Sequence, residues 1–368
     1  MKAILFLGTS LVSAQYLRQS VEALGLRPIF LLRINEYSGL PRRAIEACEY
    51  YEADVNSMDD TLYAIRQHNF MDSVAAVTSF LDETFQNVCA ISDHFGVAGP
   101  DPALAQLTDK IITQKMIPEF CPPSMVFTLS DISEERLRFF LGSQKTCNTF
   151  VLKPGISSGA VGVFILNDDT TTEQITQLIC HSQIEKAESR CWIIQPRISG
   201  HLYSLEGYVQ HGQIFFLGFS KRIREGLTEI VNEFPANKSL PDYLQQRCYE
   251  AVKVLVQRSN YLNGYFHCEF IVNSETVYFI DGNVGRVAGA SIVQQIALAY
   301  DKKPVDVIKH VIDLGLFKGI NTSGFRYGTI SKNQTLSISY CLPSPATVLG
   351  VTLPKNMTSF HTPIIDNG

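Results

Sequence analysis

GYFHCEFIVNSETVYFIDGNVGR, Gly264 to Arg286, decides how this sequence reads. Two strongly apolar runs, Tyr265 to Val272 and Thr276 to Ile280, carry isolated acids at Glu269 and, just beyond, Asp281. Period-2 alternation puts His267 and Glu269 on one face of the first strand, and Phe279, Asp281 and Asn283 on one face of the second. A three-residue turn at Asn273 to Glu275 sets Phe279 opposite Glu269, with Asp281 its diagonal neighbour at roughly 7 Å. Acids inside apolar strands are costly to bury unless paired or metal-bound. Two carboxylates and an amide oxygen suit Mg²⁺, a hard ion that completes its shell with waters and substrate phosphates. Arg286 adds a planar fork for a phosphoryl group or a carboxylate. The same pattern also describes an edge hairpin with a solvent-facing polar side, and His267 reads equally as a packed histidine.

Upstream, FVLKPGISSGAVGV (Phe150 to Val163) ends an apolar strand on Lys153 and follows it with Gly155, Gly159 and Gly162. Backbone amides without side chains can close on a polyphosphate while an ammonium supplies a point charge. The Walker pattern is missing, so this is either a different phosphate loop or an ordinary glycine-rich turn. Nearer the N-terminus, strands at Ala3 to Leu7, Ile29 to Leu32 and Val74 to Thr78 alternate with helices near Ser13 to Leu24, Met58 to His68 and Asp82 to Phe95. Such alternation predicts a parallel sheet covered by helices. The Gly8-Thr9-Ser10 turn lacks GxGxxG and either binds a ligand or only turns. The breakers of Gly96 to Pro102 mark a boundary, with Asp101 and Pro102 as N-cap and first residue of a new helix. Between Phe150 and Ile194 the order strand, turn, strand, helix, strand makes a small α+β unit. A hairpin around His211-Gly212, a helix at Leu244 to Val256 and a helix near Ser291 to Tyr300 complete the pattern.

With 368 residues, 45% of them hydrophobic, the chain exceeds one typical core. A formal charge of −5 and the lack of any basic block argue against nucleic acid as a partner. Nine scattered cysteines (48, 89, 121, 147, 180, 191, 248, 268, 341) without a CxxC pair read as reduced thiols, and so as a cytoplasmic protein. MKAILFLGTSLVSAQ at the start imitates a secretory leader, yet it also reads as the opening of a βαβ unit. No apolar run is long enough to span a membrane.

Taken together, the parts resemble the ATP-grasp superfamily of carboxylate-amine ligases over roughly residues 1 to 315. The resemblance rests on Asp109-Lys110, Lys153-Pro154, the hinge Gln195-Pro196-Arg197-Ile198-Ser199-Gly200, and Glu269, Asp281, Asn283 and Arg286. The spacing of Gly264, His267 and Glu269, with Glu225-Gly226 through Phe234-Pro235, looks most like the L-amino-acid ligase branch, which makes dipeptides.

The fold it implies is mixed α/β and α+β. It has an N-terminal parallel, Rossmann-like domain (residues 1–100), an ATP-grasp region (101–315) with a small lid (about 115–194) and an antiparallel C-terminal domain, then a segment 316–368. It implies ATP with Mg²⁺ or Mn²⁺ as cofactors, small-molecule carboxylate and amine substrates, and a homodimer. Lys110 and Lys153 would contact the nucleotide, with Ser157, Ser158, Gly159 and Gly162 in the loop over its phosphates and Gln195 and Ile198 at the adenine. Glu269, Asp281 and Asn283 would hold the metal, and Arg286 would stabilise the acyl phosphate. By position, His201, Tyr203, Glu206, Lys221, Arg222 and His267 are substrate candidates.

Three departures stand out. Gln195 replaces a common acid, Asp281 replaces a glutamate, and Gly285 lengthens the asparagine-to-arginine spacing by one residue. Those changes keep a catalytically idle nucleotide-binding protein open as an alternative, beside another ATP-grasp ligase or a carboxylase; the chain has no AMKM-like biotin segment.

Overall fold

Every residue of strand β1, Ala3–Leu7, is buried, because helices cover both faces of the sheet it centres. The computed structural model describes residues 1–144, 147–157, 160–182, 184, 186–226, 228–287, 292–330 and 337–340. β1 pairs in parallel with β2 (Arg27–Leu32) and β4 (Val74–Thr78), and β3 (Glu49–Glu52) adds an edge in the order β3-β2-β1-β4. Ile4, Phe6, Phe30 and Leu32 point toward Leu17 and Val21 and toward the helix Pro304–Phe317. Leu5, Leu7, Ile29 and Leu31 pack on Ile65, Val88 and Ile91. A strand buried on both sides reads as a continuous apolar run, which is how these strands stand in the sequence. β3 and the helix Gly39–Glu46 were not anticipated: Glu49-Tyr50-Tyr51-Glu52 is a partly exposed edge strand with no apolar run. The Gly8-Thr9-Ser10 turn is closed by Tyr37, whose hydroxyl accepts from the Thr9 amide at 3.1 Å and donates to its carbonyl at 2.9 Å. Ser10 caps the following helix, Leu11–Glu22.

A second sheet is small and antiparallel, with β5 (Met125–Phe127), β6 (Thr149–Pro154), β7 (Phe164–Asn167) and β8 (Trp192–Pro196) in the order β5-β8-β6-β7. Helices Glu134–Ser143 and Thr172–Cys180 bury Leu137, Leu141, Ile175 and Ile179 against Phe150, Leu152 and Trp192. Thr171 and Gln174 form a capping box on the second helix. Trp192 is fully buried, and its indole donates to the Ala187 carbonyl at 3.0 Å.

The third sheet holds β9 (His201–Gln210), β10 (Gln213–Glu225), β11 (Thr228–Phe234), β12 (Asn263–Val272), β13 (Val277–Val284) and β14 (Ser337–Tyr340), in the order β13-β12-β9-β10-β11-β14. His211 and Gly212 both take positive φ (51° and 77°), the geometry of a two-residue hairpin turn between β9 and β10. The helix Asp242–Ser259 packs Leu244, Cys248, Val252 and Leu255 on one face of this sheet, against Leu205, Phe266 and Phe270. On the other face, Tyr208 and Tyr265 meet the helix Pro304–Phe317, which also touches the parallel sheet, so one core joins the two.

The register of the β12–β13 hairpin corrects the expectation of a three-residue turn with Phe279 facing Glu269. Val272 pairs with Val277 across a four-residue turn, in which the Asn273 side chain accepts from the amides of Glu275 (3.0 Å) and Thr276 (2.9 Å). A bulge between Glu269 and Phe270 then adds a second one-residue shift, and Asp281 comes directly opposite Glu269. One shift alone would have turned Asp281 to the other side of the sheet; two restore its face. Tyr327 belongs to the joining core, whereas residues 331–336 and 341–368 of the expected C-terminal segment lie outside the described residues.

Candidate active site

Glu269 and Asp281 therefore sit as a direct cross-strand pair, each side chain mostly buried, at 17% and 20% exposure. Two lysines from other elements close on Asp281. Lys110, first residue of the helix Lys110–Met116, places Nζ 3.3 Å from Asp281 Oδ2 and donates to the Ser157 carbonyl at 2.6 Å. Lys153, near the end of β6, donates to the Ile280 carbonyl at 3.0 Å. Burial pulls the Lys153 ammonium down to about 8, against the attraction of Asp281. Burial raises the Asp281 carboxyl, Lys110 counters it, and Glu269 pushes it further up. Burial acts upward on Glu269 too, but Arg222 overrides it and holds this carboxylate well below its usual range. Of the facing acids, then, Glu269 stays ionised and Asp281 is the more basic.

Behind the pair runs a chain of buried polar groups. His267 lies opposite Glu206 in the strand register, and its Nδ1 is 2.7 Å from Glu206 Oε1, which also accepts from the Ser220 hydroxyl at 3.1 Å. His267 Nε2 is 3.3 Å from Glu269 Oε1, and Arg222 bridges Glu269 and Glu229. Burial alone would lower His267, yet Glu206 and Glu269 hold it up at about 9, so it is an imidazolium at neutral pH. Of the six substrate candidates, Glu206, Arg222 and His267 converge in this way. Tyr203 and Lys221 do not: they pair with each other across β9 and β10 on the opposite face from Ser204 and Ser220, and Tyr203 donates to the Ser239 carbonyl at 3.1 Å. Alternation along β9 separates them from Glu206. His201 is exposed at the start of the strand.

A cavity of about 220 Å³ opens between the second and third sheets, lined by Lys110, Lys153, Ser157, Gln195, Ile198, Glu269 and Asp281 together with Val151, Val163 and Ile271. It is apolar along the strand side chains and charged at one end. Gln195 is buried and donates through Nε2 to Gln114 Oε1 at 2.9 Å. Gly162 has φ +73°, and a Cβ there would come within 2.4 Å of Ile184, so glycine is required where the loop turns back into β7. Ser158 and Gly159 lie outside the described residues.

Arg286 is buried and turned toward the parallel sheet. Its Nε donates to Asp82 Oδ1 at 2.7 Å, and its Nη2 donates both to Asp82 Oδ2 and to Asn283 Oδ1, the latter at 3.1 Å. The expected open fork for a phosphoryl group is thus filled by an acid 204 residues away in sequence. Gly285, immediately before Arg286, takes φ +83°, and a Cβ there would approach Leu104 to 2.4 Å, so the backbone that carries this arginine is shaped at a position only glycine fits.

Compared with families of known proteins, residues 147–294 match the ATP-grasp domain. The chain carries an ATP-grasp domain. No curated protein matches the sequence. Among solved structures, L-amino acid ligase from Bacillus licheniformis superposes with TM-score 0.69 at 15% identity, over 94% of this chain and 81% of that one. N5-carboxyaminoimidazole synthetase from Staphylococcus aureus, complexed with ADP, superposes with TM-score 0.62 at 15% identity, covering 86% and 78%. The biotin carboxylase domain dimer of 2-oxoglutarate carboxylase from Hydrogenobacter thermophilus, in complex with MgADP, ADP and bicarbonate, gives TM-score 0.63 at 18% identity, covering 84% and 69%. At these identities the likeness is one of fold.

ATP and Mg²⁺ are the cofactors that go with an ATP-grasp domain. The donor set here fits the ion: Glu269, Asp281 and Asn283 offer only oxygens along one hairpin, with Glu269 facing Asp281 and His267 facing Asn283. Among the described residues no three His, Cys, Asp or Glu side chains gather into a metal cage. Also among the described residues, no helix is long and apolar enough to cross a membrane.

Two residues that touch the candidate site, Gln114 and Asp82, were not anticipated from the sequence. Gln114 stands four residues after Lys110 on one short helix, a spacing that puts both on one face but does not by itself mark a glutamine as functional. Asp82 follows the carboxyl end of β4, where ligand-facing residues of parallel sheets gather, but nothing local ties it to Arg286.

Proposed function

We propose that the chain is an ATP-dependent, ADP-forming carbon–nitrogen ligase that joins a carboxylate to an amine on amino-acid-like small molecules. One observation carries the reading: two facing carboxylates, Glu269 and Asp281, share the end of a cleft with Lys110 and Lys153. Phosphoryl transfer needs charge neutralisation and positioning more than a covalent protein group, and this arrangement supplies both.

In this reading the adenine lies against Gln195 and Ile198, the triphosphate runs along Lys110 and Lys153 beneath the loop from Ser157 to Gly162, and Glu269, Asp281 and Asn283 hold magnesium. When bound, the ion neutralises the triphosphate. A substrate carboxylate oxygen attacks the γ-phosphorus, the bond to the β-phosphate bridging oxygen breaks, and ADP leaves an acyl phosphate. An amine nitrogen then attacks the acyl carbon, orthophosphate departs, and the amine gives up a proton. The loop and hinge keep water from the acyl phosphate. Arg286 acts through the Nη1 edge that Asp82 leaves uncovered, besides its bond to the Val287 carbonyl. Small molecules are the partners, and a homodimer follows the domain dimer among the similar structures.

Phosphate release measured across a panel of amino-acid pairs, with the product read by mass, tests the reading. Glu269→Gln is expected to abolish amine-dependent ADP release, and unchanged turnover would remove the metal assignment. The engagement of Arg286 by Asp82 and of Glu269 by Arg222 favours one rival, a nucleotide-binding protein without turnover. Calorimetry with ATP separates the two, since the rival binds the nucleotide and releases no ADP with any pair.

A further inference from the structure

Gln195 and Gln114 form a buried amide pair beside the cleft, 3% and 6% exposed, with only Gln195 lining the cavity. An amide side chain has two faces to offer, a carbonyl that accepts and an NH₂ that donates. Which one a ligand meets depends on which one is spent elsewhere. Here Gln195 Nε2 is spent on Gln114 Oε1 at 2.9 Å, so the carbonyl of Gln195, a residue that lines the cavity, is the end of the amide that Gln114 does not engage. The pair holds this orientation although Gln114 Nε2 is buried without a hydrogen-bond partner. Buried unpaired donors are uncommon and costly, so one beside a ligand cleft calls for a functional explanation.

We propose that Gln114 is a positioning residue that sets the purine read by the cleft, by turning the Gln195 carbonyl outward to accept from a 6-amino group and to repel a 6-oxo group. The inference rests on the nucleotide site of the preceding section. Adenine carries an exocyclic N6 donor where guanine and hypoxanthine carry an O6 acceptor, so an outward carbonyl pairs with the first and faces the second with like charge. Were both amides turned by half a turn, their mutual hydrogen bond would survive with roles exchanged, and Gln195 would offer N–H to a 6-oxopurine instead. The atom that Gln114 presents is therefore the selector. A carboxylate at 114 can only accept and would lock the outward carbonyl; a thioether would release it.

Equilibrium binding of ADP and of inosine diphosphate, which differ only at the purine 6-position and its neighbouring N1 proton, tests this on the full chain with Mg²⁺ present. The ratio of the two dissociation constants is the readout, because a merely structural role of Gln114 would weaken both nucleotides together. We expect wild type to prefer ADP by tenfold or more, and Gln114→Glu to show a ratio at least tenfold above that of Gln114→Met. A smaller separation between the variants overturns the proposal. Should either variant fail to fold, the wild-type ratio decides alone, and a preference for ADP below tenfold overturns it. Binding of neither nucleotide overturns the nucleotide site itself, and this inference with it.

Discussion

Lys153 is an ammonium held in a dry place, and its pKa of about 8 sets a limit on the pH range over which the cleft can attract phosphate. The group is charged below that value, so its contribution to ADP binding is complete near pH 7 and is lost as pH rises through 8. We expect ADP affinity to be level below about pH 7 and to fall by up to about tenfold per unit above 8. Calorimetry from pH 7 to 9.5 checks this, with Lys153→Arg flattening the profile; a flat wild-type curve would show that the ammonium does not meet the nucleotide. Lys153→Met should weaken ADP by roughly 10- to 100-fold at pH 7, the usual worth of a charge-assisted contact. Single residues of the site were readable in the sequence wherever the side chain contradicted its surroundings: Glu269 and Asp281 interrupt apolar strands, and Lys153 ends one. Gln114 and Asp82 contradict nothing around them, and their importance arises only from what they touch, Gln195 and Arg286.

The hairpin of β12 and β13 shows what alternation can and cannot tell. Period 2 put His267 and Glu269 on one face correctly but grouped Phe279 with Asp281, whereas Phe279 packs with Phe270 on the helix-covered face; the four-residue turn and the bulge that bring Asp281 opposite Glu269 leave no mark in composition. The parallel sheet was readable because its central strands are apolar throughout, whereas the edge strand β3, with two glutamates, was not. Gly285 is where the hairpin hands its chain to Arg286. Gly285→Ala combines a left-handed backbone with an overlap on Leu104, and a stability loss of about 2–4 kcal/mol is expected by denaturant unfolding. Gly212→Ala is the matching control. Its φ of +77° is equally left-handed, but the added methyl meets only Leu262 at 3.6 Å, so a loss of about 1–2 kcal/mol is expected. Equal losses would show that the approach to Leu104 costs nothing.

At the scale of the molecule, a buried ion pair and a shared core rich in aromatic side chains help bind the parallel sheet to the rest. Removing one partner of a buried pair strands the other charge, so Asp82→Ala should cost about 3–5 kcal/mol, and pairing it with Arg286→Met should recover part of that loss. In the core, His310 meets the Tyr265 hydroxyl at 2.6 Å, and burial holds its pKa down at about 4. The unfolded chain therefore binds the proton first. Stability is complete above pH 6.5 and is lost as pH falls toward 4, by an amount on the order of 3 kcal/mol. Melting curves of wild type and His310→Gln should converge in their acid slope only if this histidine is not responsible. The chain's one tryptophan is Trp192, sealed in the small sheet three residues from Gln195. Ultraviolet emission from the indole will therefore report on this small sheet, so that any change in its packing when a nucleotide is added can be followed in stopped flow without attaching any dye.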